Sequence, residues 1–358
     1  MRVFLATPSL LPEIGGPAYC VSAIHYYLVK QSCQVNTITR KAQCGMYVNL
    51  SEVERELKGY DIVHNFGTWT PFNHRVSTSA YRAGIPQVFC PMGMLEPWAL
   101  GQKRLKKKIG WFLYQKKDIE RSAAVHATSR FEADNLKALG IKSPIAIIPH
   151  GIDIPDEVPN YAGVSKKERE KTALFLSRLH PKKGLLELVE AWGVIRPDNW
   201  QLIIAGPDLD GYGTVVAEAV KQHSLQSTIR IVGPVFGKDK ENLFSSSDLL
   251  ILPTHSENFG LVVPEALGYG MPVITTTGAP WGELLETNSG WWIEPGVQPL
   301  ISAMTEATNL SSHELQEMGL RGRKLVEVKY AWPSIIEKHI KLYRWICFGD
   351  EKPDFICQ

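Results

Sequence analysis

The stretch Pro253–Thr277, PTHSENFGLVVPEALGYGMPVITTT, places two carboxylates, Glu257 and Glu265, eight positions apart. Between them, Asn258-Phe259-Gly260-Leu261 leads into a helix that Pro264 suits, since a first turn needs no amide donor there. Gly260 has no Cβ, so a ligand can approach the backbone closely. The N–H groups of Gly260, Leu261 and Val262 are expected at a helix N-terminus, where geometry and dipole attract an anion. Both carboxylates then flank one crevice. The ligand that fits is negative in its middle and rich in hydroxyls at both ends, as a sugar nucleotide is. The bland alternative makes Glu257 a helix cap and Glu265 a solvated surface group.

Other residues offer compatible chemistry. In Ser177-Arg178-Leu179-His180-Pro181-Lys182-Lys183-Gly184, the Arg178 fork and the Lys183 ammonium suit a diphosphate. Cations fixed there stabilise charge that builds on a departing phosphate. The loop Pro12–Pro17 carries Gly15-Gly16 and permits close approach to phosphate, but it is not a G-x-G-x-x-G fingerprint. Asp208-Leu209-Asp210 looks like a D-x-D metal motif, yet its place in a Gly/Pro turn explains two aspartates without a metal. His64, His126 and His150 read as strand-end residues, and none is assigned as a base. The six cysteines show no metal spacing and fit a reducing compartment. In Lys103–Lys117, seven of fifteen residues are Lys or Arg. Leu105, Ile109, Phe112 and Leu113 form one stripe on a helix there. That stripe either docks on its own domain or meets an anionic surface.

Positioning these groups requires a doubly wound architecture. Strands are expected at 2–6, 34–39, 61–64, 87–90, 124–127 and 145–148, with helices at 18–30, 51–57, 75–83, 103–121 and 131–139. Residues 149–171 read as a linker. The alternation restarts with strands at 173–176, 201–205, 229–232, 249–252, 273–276 and 291–293. Helices are expected at 185–195, 214–223, 240–246, 264–269, 300–308 and 314–328, and a last amphipathic helix at 334–346. The 358 residues, 44% hydrophobic and 21% charged, suit a two-domain globular chain. The net charge of +2 divides into a basic first half and a mildly acidic second half, too weak a bias for a nucleic-acid binder. No apolar run approaches a membrane span. The N-terminus reads as a strand rather than a signal peptide, so a cytoplasmic protein is expected.

The ordered set Gly15-Gly16, Gly93-Met94-Leu95, Pro97-Trp98, His126-Ala-Thr-Ser129, Arg178…Lys183-Gly184, Ser256–Gly260, Gly278-Ala-Pro-Trp281 and Gly290-Trp-Trp292 resembles bacterial polysaccharide-assembly members of glycosyltransferase family GT4, with their E-x7-E signature. The resemblance implies a GT-B fold: two doubly wound Rossmann-like domains facing across a cleft, with a C-terminal helix crossing back. It divides the chain into an acceptor-side domain (1–160), a nucleotide-sugar domain (161–329) and a crossover helix and tail (330–358). It places Glu265 on the ribose, Glu257 beside the donor sugar, and Arg178 and Lys183 on the diphosphate. Gly15, Gly16, Gly206, Val235, Asn258, Phe259, Gly260 and Leu261 line the donor. His64, Met92, Gly93 and Trp98 lie on the acceptor side. Met92 stands where many relatives have histidine, so an imidazole contact is lost. The implied reaction is glycosyl transfer with retention of configuration from a nucleotide-diphosphate sugar to a hydroxyl of a saccharide or lipid-linked saccharide, with no cofactor and no essential metal. The basic segment 103–117 would touch the inner membrane face. Other readings stay open: a phosphorylase, a sugar-nucleotide epimerase, or a non-catalytic sugar-nucleotide binder.

Overall fold

The computed structural model describes residues 1–11, 15–41, 50–158 and 170–357. Pro12–Ile14 of the first glycine loop, and residues 159–169 of the expected linker, lie outside these residues. The chain forms two units, Met1–Gly151 with Trp332–Gln358, and Ile152–Ala331.

The first unit runs β1 (Arg2–Ser9), α1 (Gly16–Lys30), β2 (Gln34–Lys41), α2 (Leu50–Leu57), β3 (Ile62–Phe66), α3 (Pro71–Ala83), β4 (Gln87–Cys90), α4 (Pro97–Gly101), α5 (Arg104–Gly110), α6 (Lys116–Glu120), β5 (Ala124–Ala127), α7 (Arg130–Ala138) and β6 (Ile145–Ile147). The second runs β7 (Lys171–Leu176), α8 (Leu185–Ile195), β8 (Trp200–Ala205), α9 (Tyr212–Gln222), β9 (Ile229–Gly233), α10 (Gly237–Ser246), β10 (Leu249–Leu252), α11 (Val262–Gly268), β11 (Val273–Thr276), α12 (Glu283–Glu286), β12 (Gly290–Ile293), α13 (Val297–Asn309) and α14 (Ser312–Lys329). The chain then returns to the first unit as α15 (Trp332–Phe348) and β13 (Ile356–Cys357).

The second sheet is wholly parallel, in the order β12-β11-β10-β7-β8-β9. Its chain path reverses between β7 and β10. In open parallel sheets the crevice at the carboxyl ends of the strands flanking such a reversal is where ligands bind. The loops after β7 and β10 carry Arg178, Lys183 and Glu257, so topology alone brings the proposed chemistry to one place. The first sheet has the order β13-β6-β5-β4-β3-β1-β2, parallel except for β13, which pairs antiparallel with β6. β13 escapes the sequence reading because two residues carry no periodic signal.

Two expectations need correction. Segment 103–121 is not one regular helix: a π turn at Trp111–Gln115 separates α5 from α6. It turns the buried Gln115 inward, where its Oε1 accepts the Trp69 N–H at 2.8 Å. His64 does not end a strand in an open crevice. It sits inside β3, fully buried, under α15.

His64 belongs to a buried polar chain whose direction can be derived. The Ile148 carbonyl can only accept, so His126 Nε2 donates to it at 2.7 Å and His126 Nδ1 is an acceptor. His64 Nε2 therefore donates to His126 at 3.2 Å, and the Tyr343 hydroxyl donates to His64 Nδ1 at 2.7 Å. His339 gives its Nδ1 proton to the Ile335 carbonyl, and its Nε2 finds no partner among the described residues. Burial pushes the imidazoles down, His126 to about 4, His150 and His339 to about 3, and His64 well below its ordinary range. The unfolded chain protonates near pH 6.5, while the folded unit resists. Stability is therefore full above pH 6.5 and falls as the pH drops toward 3–4, by up to about 1.4 kcal/mol per pH unit per histidine. Urea denaturation at pH 7.5 and pH 5 should show a clearly lower midpoint at pH 5 for the first unit. An unchanged midpoint would contradict this account of the cluster.

Candidate functional site

The loops at the carboxyl edge of the second sheet pack backbone against backbone. A Cβ at Gly184 would meet the Pro253 carbonyl oxygen at 2.1 Å, and one at Gly206 would meet that of Ser177 at 1.8 Å. Both residues have positive φ, 69° and 144°, so glycine is required twice over. The Lys182 carbonyl accepts from His255 N–H at 2.8 Å and Thr254 Oγ1 at 3.2 Å. The loop after β7 is thus stitched to the loop after β10.

That stitching brings Lys183 and Glu257 into a direct ion pair. Their side chains are only 9% and 14% exposed, so water screens the pair little and removing one partner would strand a nearly buried charge. The Glu257 N–H donates to the Gly278 carbonyl at 2.7 Å, fixing its backbone separately. Arg178 is exposed and makes no ion pair among the described residues. His180 Nδ1 accepts from the Lys182 N–H and caps the short turn Pro181–Lys183.

Glu265 lies in the first turn of α11 and pairs with Lys240 of α10 at 2.7 Å. Lys240 escaped the sequence reading, because a charged residue in α10 signals nothing until folding brings it beside Glu265. Gly260 adopts φ 76° beside Glu257. Intrahelical bonding begins with Val263 N–H to the Gly260 carbonyl and Glu265 N–H to the Leu261 carbonyl. The amides of Gly260, Leu261 and Val262 therefore precede it, as expected. α11 has only seven residues, so its dipole is small and charge at the site falls to the side chains. Phe259 buries its ring against Trp281, and its carbonyl accepts from Trp281 Nε1 at 2.6 Å. The side chain therefore anchors the loop. Asn258, Leu261 and Val235 are half-buried. Asp208 accepts from the Gly213 N–H at 3.0 Å, the turn role that needs no metal.

In the first unit, Gly15 has φ 78° and leads into α1 at Gly16. Met92 and Gly93 both take positive φ, 53° and 74°, in the loop at the carboxyl end of β4. Its support is Glu132, which sequence reasoning missed. This buried carboxylate accepts from Gly93 N–H at 2.6 Å, Thr128 N–H at 2.8 Å and Thr128 Oγ1 at 2.9 Å. A capping-like S-x-x-E spacing from Ser129 to Glu132 was the available signal, though the carboxylate reaches past its own cap. Trp98 is 40% exposed on α4. His64 is withdrawn from the acceptor side by its burial and its bonds to Tyr343 and His126.

Two family models match the chain: Glycosyltransferase Family 4 over residues 5–155 and Glycosyl transferases group 1 over residues 160–324. The chain belongs to the GT-B-fold glycosyltransferases. A GDP-mannose:cellobiosyl-diphosphopolyprenol alpha-mannosyltransferase of Xanthomonas oryzae is 24% identical over 226 residues, 62% of this chain and 58% of that protein. The chain spans about half the length of the first curated relatives it matches. Among solved structures, sucrose-phosphate synthase from Thermosynechococcus elongatus superposes with TM-score 0.77 at 18% identity, covering 98% of this chain and 100% of that one. HepE of Anabaena, solved with UDP and glucose, gives TM-score 0.74 at 18% identity, covering 96% and 99%. At these identities the superpositions establish the fold.

Proposed function

We propose that the protein transfers a sugar from a nucleotide-diphosphate sugar to a hydroxyl acceptor with retention of configuration, as a GT4-type enzyme. The observation that carries this reading is the convergence of Arg178, Lys183 and Glu257 at the β7/β10 reversal, with Glu265 held nearby on α11. Arg178 and Lys183 take the donor diphosphate. Glu265, steadied by Lys240, accepts from the ribose hydroxyls, and Glu257 lies beside the sugar. As the bond from the anomeric carbon to phosphate oxygen breaks, negative charge grows on the diphosphate and the fixed cations stabilise it. The acceptor hydroxyl attacks from the same face, and its proton passes to the leaving phosphate oxygen. Glu257 and Glu265 are each paired with a lysine, an arrangement unlike the free carboxylate pair that double displacement uses. With two side-chain cations in place, no metal is needed for charge. The relative that uses GDP-mannose and a diphosphopolyprenol acceptor, and the neighbour solved with UDP, support a nucleotide donor and a saccharide or lipid-linked acceptor.

The donor reading predicts that Glu265→Ala weakens nucleoside diphosphate binding by about 1–3 kcal/mol, the worth of a charged hydrogen bond. Arg178→Ala should lower donor turnover by on the order of 10²-fold, and EDTA should leave the wild type largely active. Calorimetry and turnover assays check these. Unchanged affinity in folded Glu265→Ala, or full loss with EDTA restored by Mn²⁺, would contradict the assignment.

The same reading places the enzyme at the cytoplasmic membrane face. No helix among the described residues is long and apolar enough to cross a membrane. The stripe on α5 and the π turn does not dock on its own unit: Leu105, Ile109, Phe112 and Leu113 are 74%, 52%, 73% and 74% exposed. Exposed Lys103, Arg104, Lys106 and Lys108 surround it. An apolar stripe ringed by cations matches an anionic bilayer, in which the stripe enters the headgroup layer while each cation adds about 1 kcal/mol. The protein should sediment with anionic but not neutral liposomes, and about 0.5 M salt should weaken the binding strongly. Reversing Lys106, Lys107 and Lys108 to Glu should abolish it while donor affinity holds. Equal sedimentation with neutral vesicles would contradict this placement.

A further inference from the structure

We propose that His64, Cys90 and His126, with His339 as a fourth donor, form a structural site in the first unit for a tetrahedral transition-metal ion of the Zn²⁺ kind. The inference lies outside the donor site and does not depend on the donor reading.

Sheet register assembles this set, where sequence spacing gave no sign of it. His64 is on β3, Cys90 ends β4 and His126 is on β5. The pairs Phe66↔Cys90 and Phe89↔Val125 bring the three to adjacent strands, and alternation along each strand puts them on one face. The Cys90 sulfur and one ring nitrogen of each histidine lie within 4.8 Å of one another, and all three residues are buried. From α15 the buried His339 packs on the same group, its ring centroid 5.1 Å from that of His126 and 5.8 Å from that of His64.

The nitrogens have the spacing of a metal site. His64 Nε2 and His126 Nδ1 are 3.2 Å apart. Two nitrogens bound to a tetrahedral zinc at about 2.0–2.1 Å are separated by about 3.3 Å. One spacing therefore serves either a hydrogen bond or an edge of a coordination tetrahedron. A zinc-bound sulfur at about 2.3 Å gives edges of about 3.6 Å, so Cys90 closes on the ion by turning its side chain.

The far side of each ring is already supported. His126 gives its Nε2 proton to the Ile148 carbonyl, and His339 gives its Nδ1 proton to the Ile335 carbonyl. Each ring then keeps a lone pair on its other nitrogen. A backbone carbonyl on the far nitrogen is a common support of a metal-bound imidazole. His339 Nε2 is buried with no partner among the described residues, a cost that coordination removes. His64 needs one proton shift: its proton moves from Nε2 to Nδ1, and the Tyr343 hydroxyl accepts across the same 2.7 Å contact. Cys90 binds as thiolate and its proton leaves to solvent. The Glu132 carboxylate lies within electrostatic reach of Cys90 and offsets the one positive charge that remains.

Four protein donors leave no open position, so the ion is structural. It ties β3, β4 and β5 to α15, joining the far end of the chain to the sheet. Acid removes such an ion, so it adds to the loss of stability expected on acidification without changing its sign. Its burial means that it loads as the chain folds and that EDTA does not reach it in the folded protein.

Refolding the full chain from denaturant and chelator, with Zn²⁺, with Co²⁺ or with neither, tests this. One ion per chain should be retained, and Tm should be higher with Zn²⁺ than without. The Co²⁺ form should show a thiolate-to-cobalt charge-transfer band and visible bands of tetrahedral intensity. Cys90→Ser should lose the charge-transfer band, while Cys33→Ser keeps it. His339→Ala should bind Co²⁺ at least about tenfold more weakly. Cys90→Ala replaces Cys90→Ser if the latter does not refold. Where the wild type itself does not refold, elemental analysis of the natively purified chain decides: one zinc per chain supports the site and none overturns it. A refolded wild type that retains no ion, a charge-transfer band that survives loss of Cys90, or unchanged affinity in His339→Ala overturns the proposal.

Discussion

A lysine and a glutamate seventy-four positions apart meet almost out of reach of water, and the geometry of the second unit serves that meeting. Two charges with side chains 9% and 14% exposed are costly to desolvate, and the cost is recovered only with good mutual placement. The β7/β10 reversal puts both loops at one crevice, and glycines without Cβ atoms let those loops touch through their backbones. A fold stabilised only by apolar burial has no need of such a pair. Its presence at the edge where parallel sheets bind ligands marks the place where charge is handled.

The first unit resolves its polar problem differently. Its sheet buries His64 and His126 on one face, and α15 covers them with Tyr343 and His339. One backbone carbonyl at Ile148 sets the direction of the whole hydrogen-bonded chain. The unit is therefore completed by residues from the far end of the sequence. Its carboxyl-edge loops are held from inside by Glu132, which satisfies three donors. The two units show the two ways in which buried polarity is made tolerable: neutral groups linked in series, or opposite charges in direct contact.

Much of the architecture was legible because period and punctuation are local. β4, β5, β10, β11 and α8 begin and end where the apolar runs and turn residues indicate. The E-x7-E spacing placed Glu257 before α11 and Glu265 inside it, because both depend on a few adjacent residues. Partnerships were not legible. Nothing near Lys183 names Glu257, nothing near Glu265 names Lys240, and no residue near His64 tells that a helix from the C-terminus will bury it. The π turn depends on Gln115 reaching Trp69, a contact made only in the folded chain. Phe259 sits within the signature stretch yet its ring faces the core, since a short exposed loop still needs an apolar anchor.

The claim that organises this account is that the second unit recognises the diphosphate of a sugar nucleotide. Titrating the protein with UDP-, GDP-, ADP- and CMP-sugars under one buffer measures this directly, since the CMP conjugates carry a single phosphate. The account predicts one-to-one binding of at least one nucleotide-diphosphate sugar, with CMP-sugars the weakest of the panel. Binding of a CMP-sugar as tight as that of any diphosphate, or no binding across the panel, would contradict it.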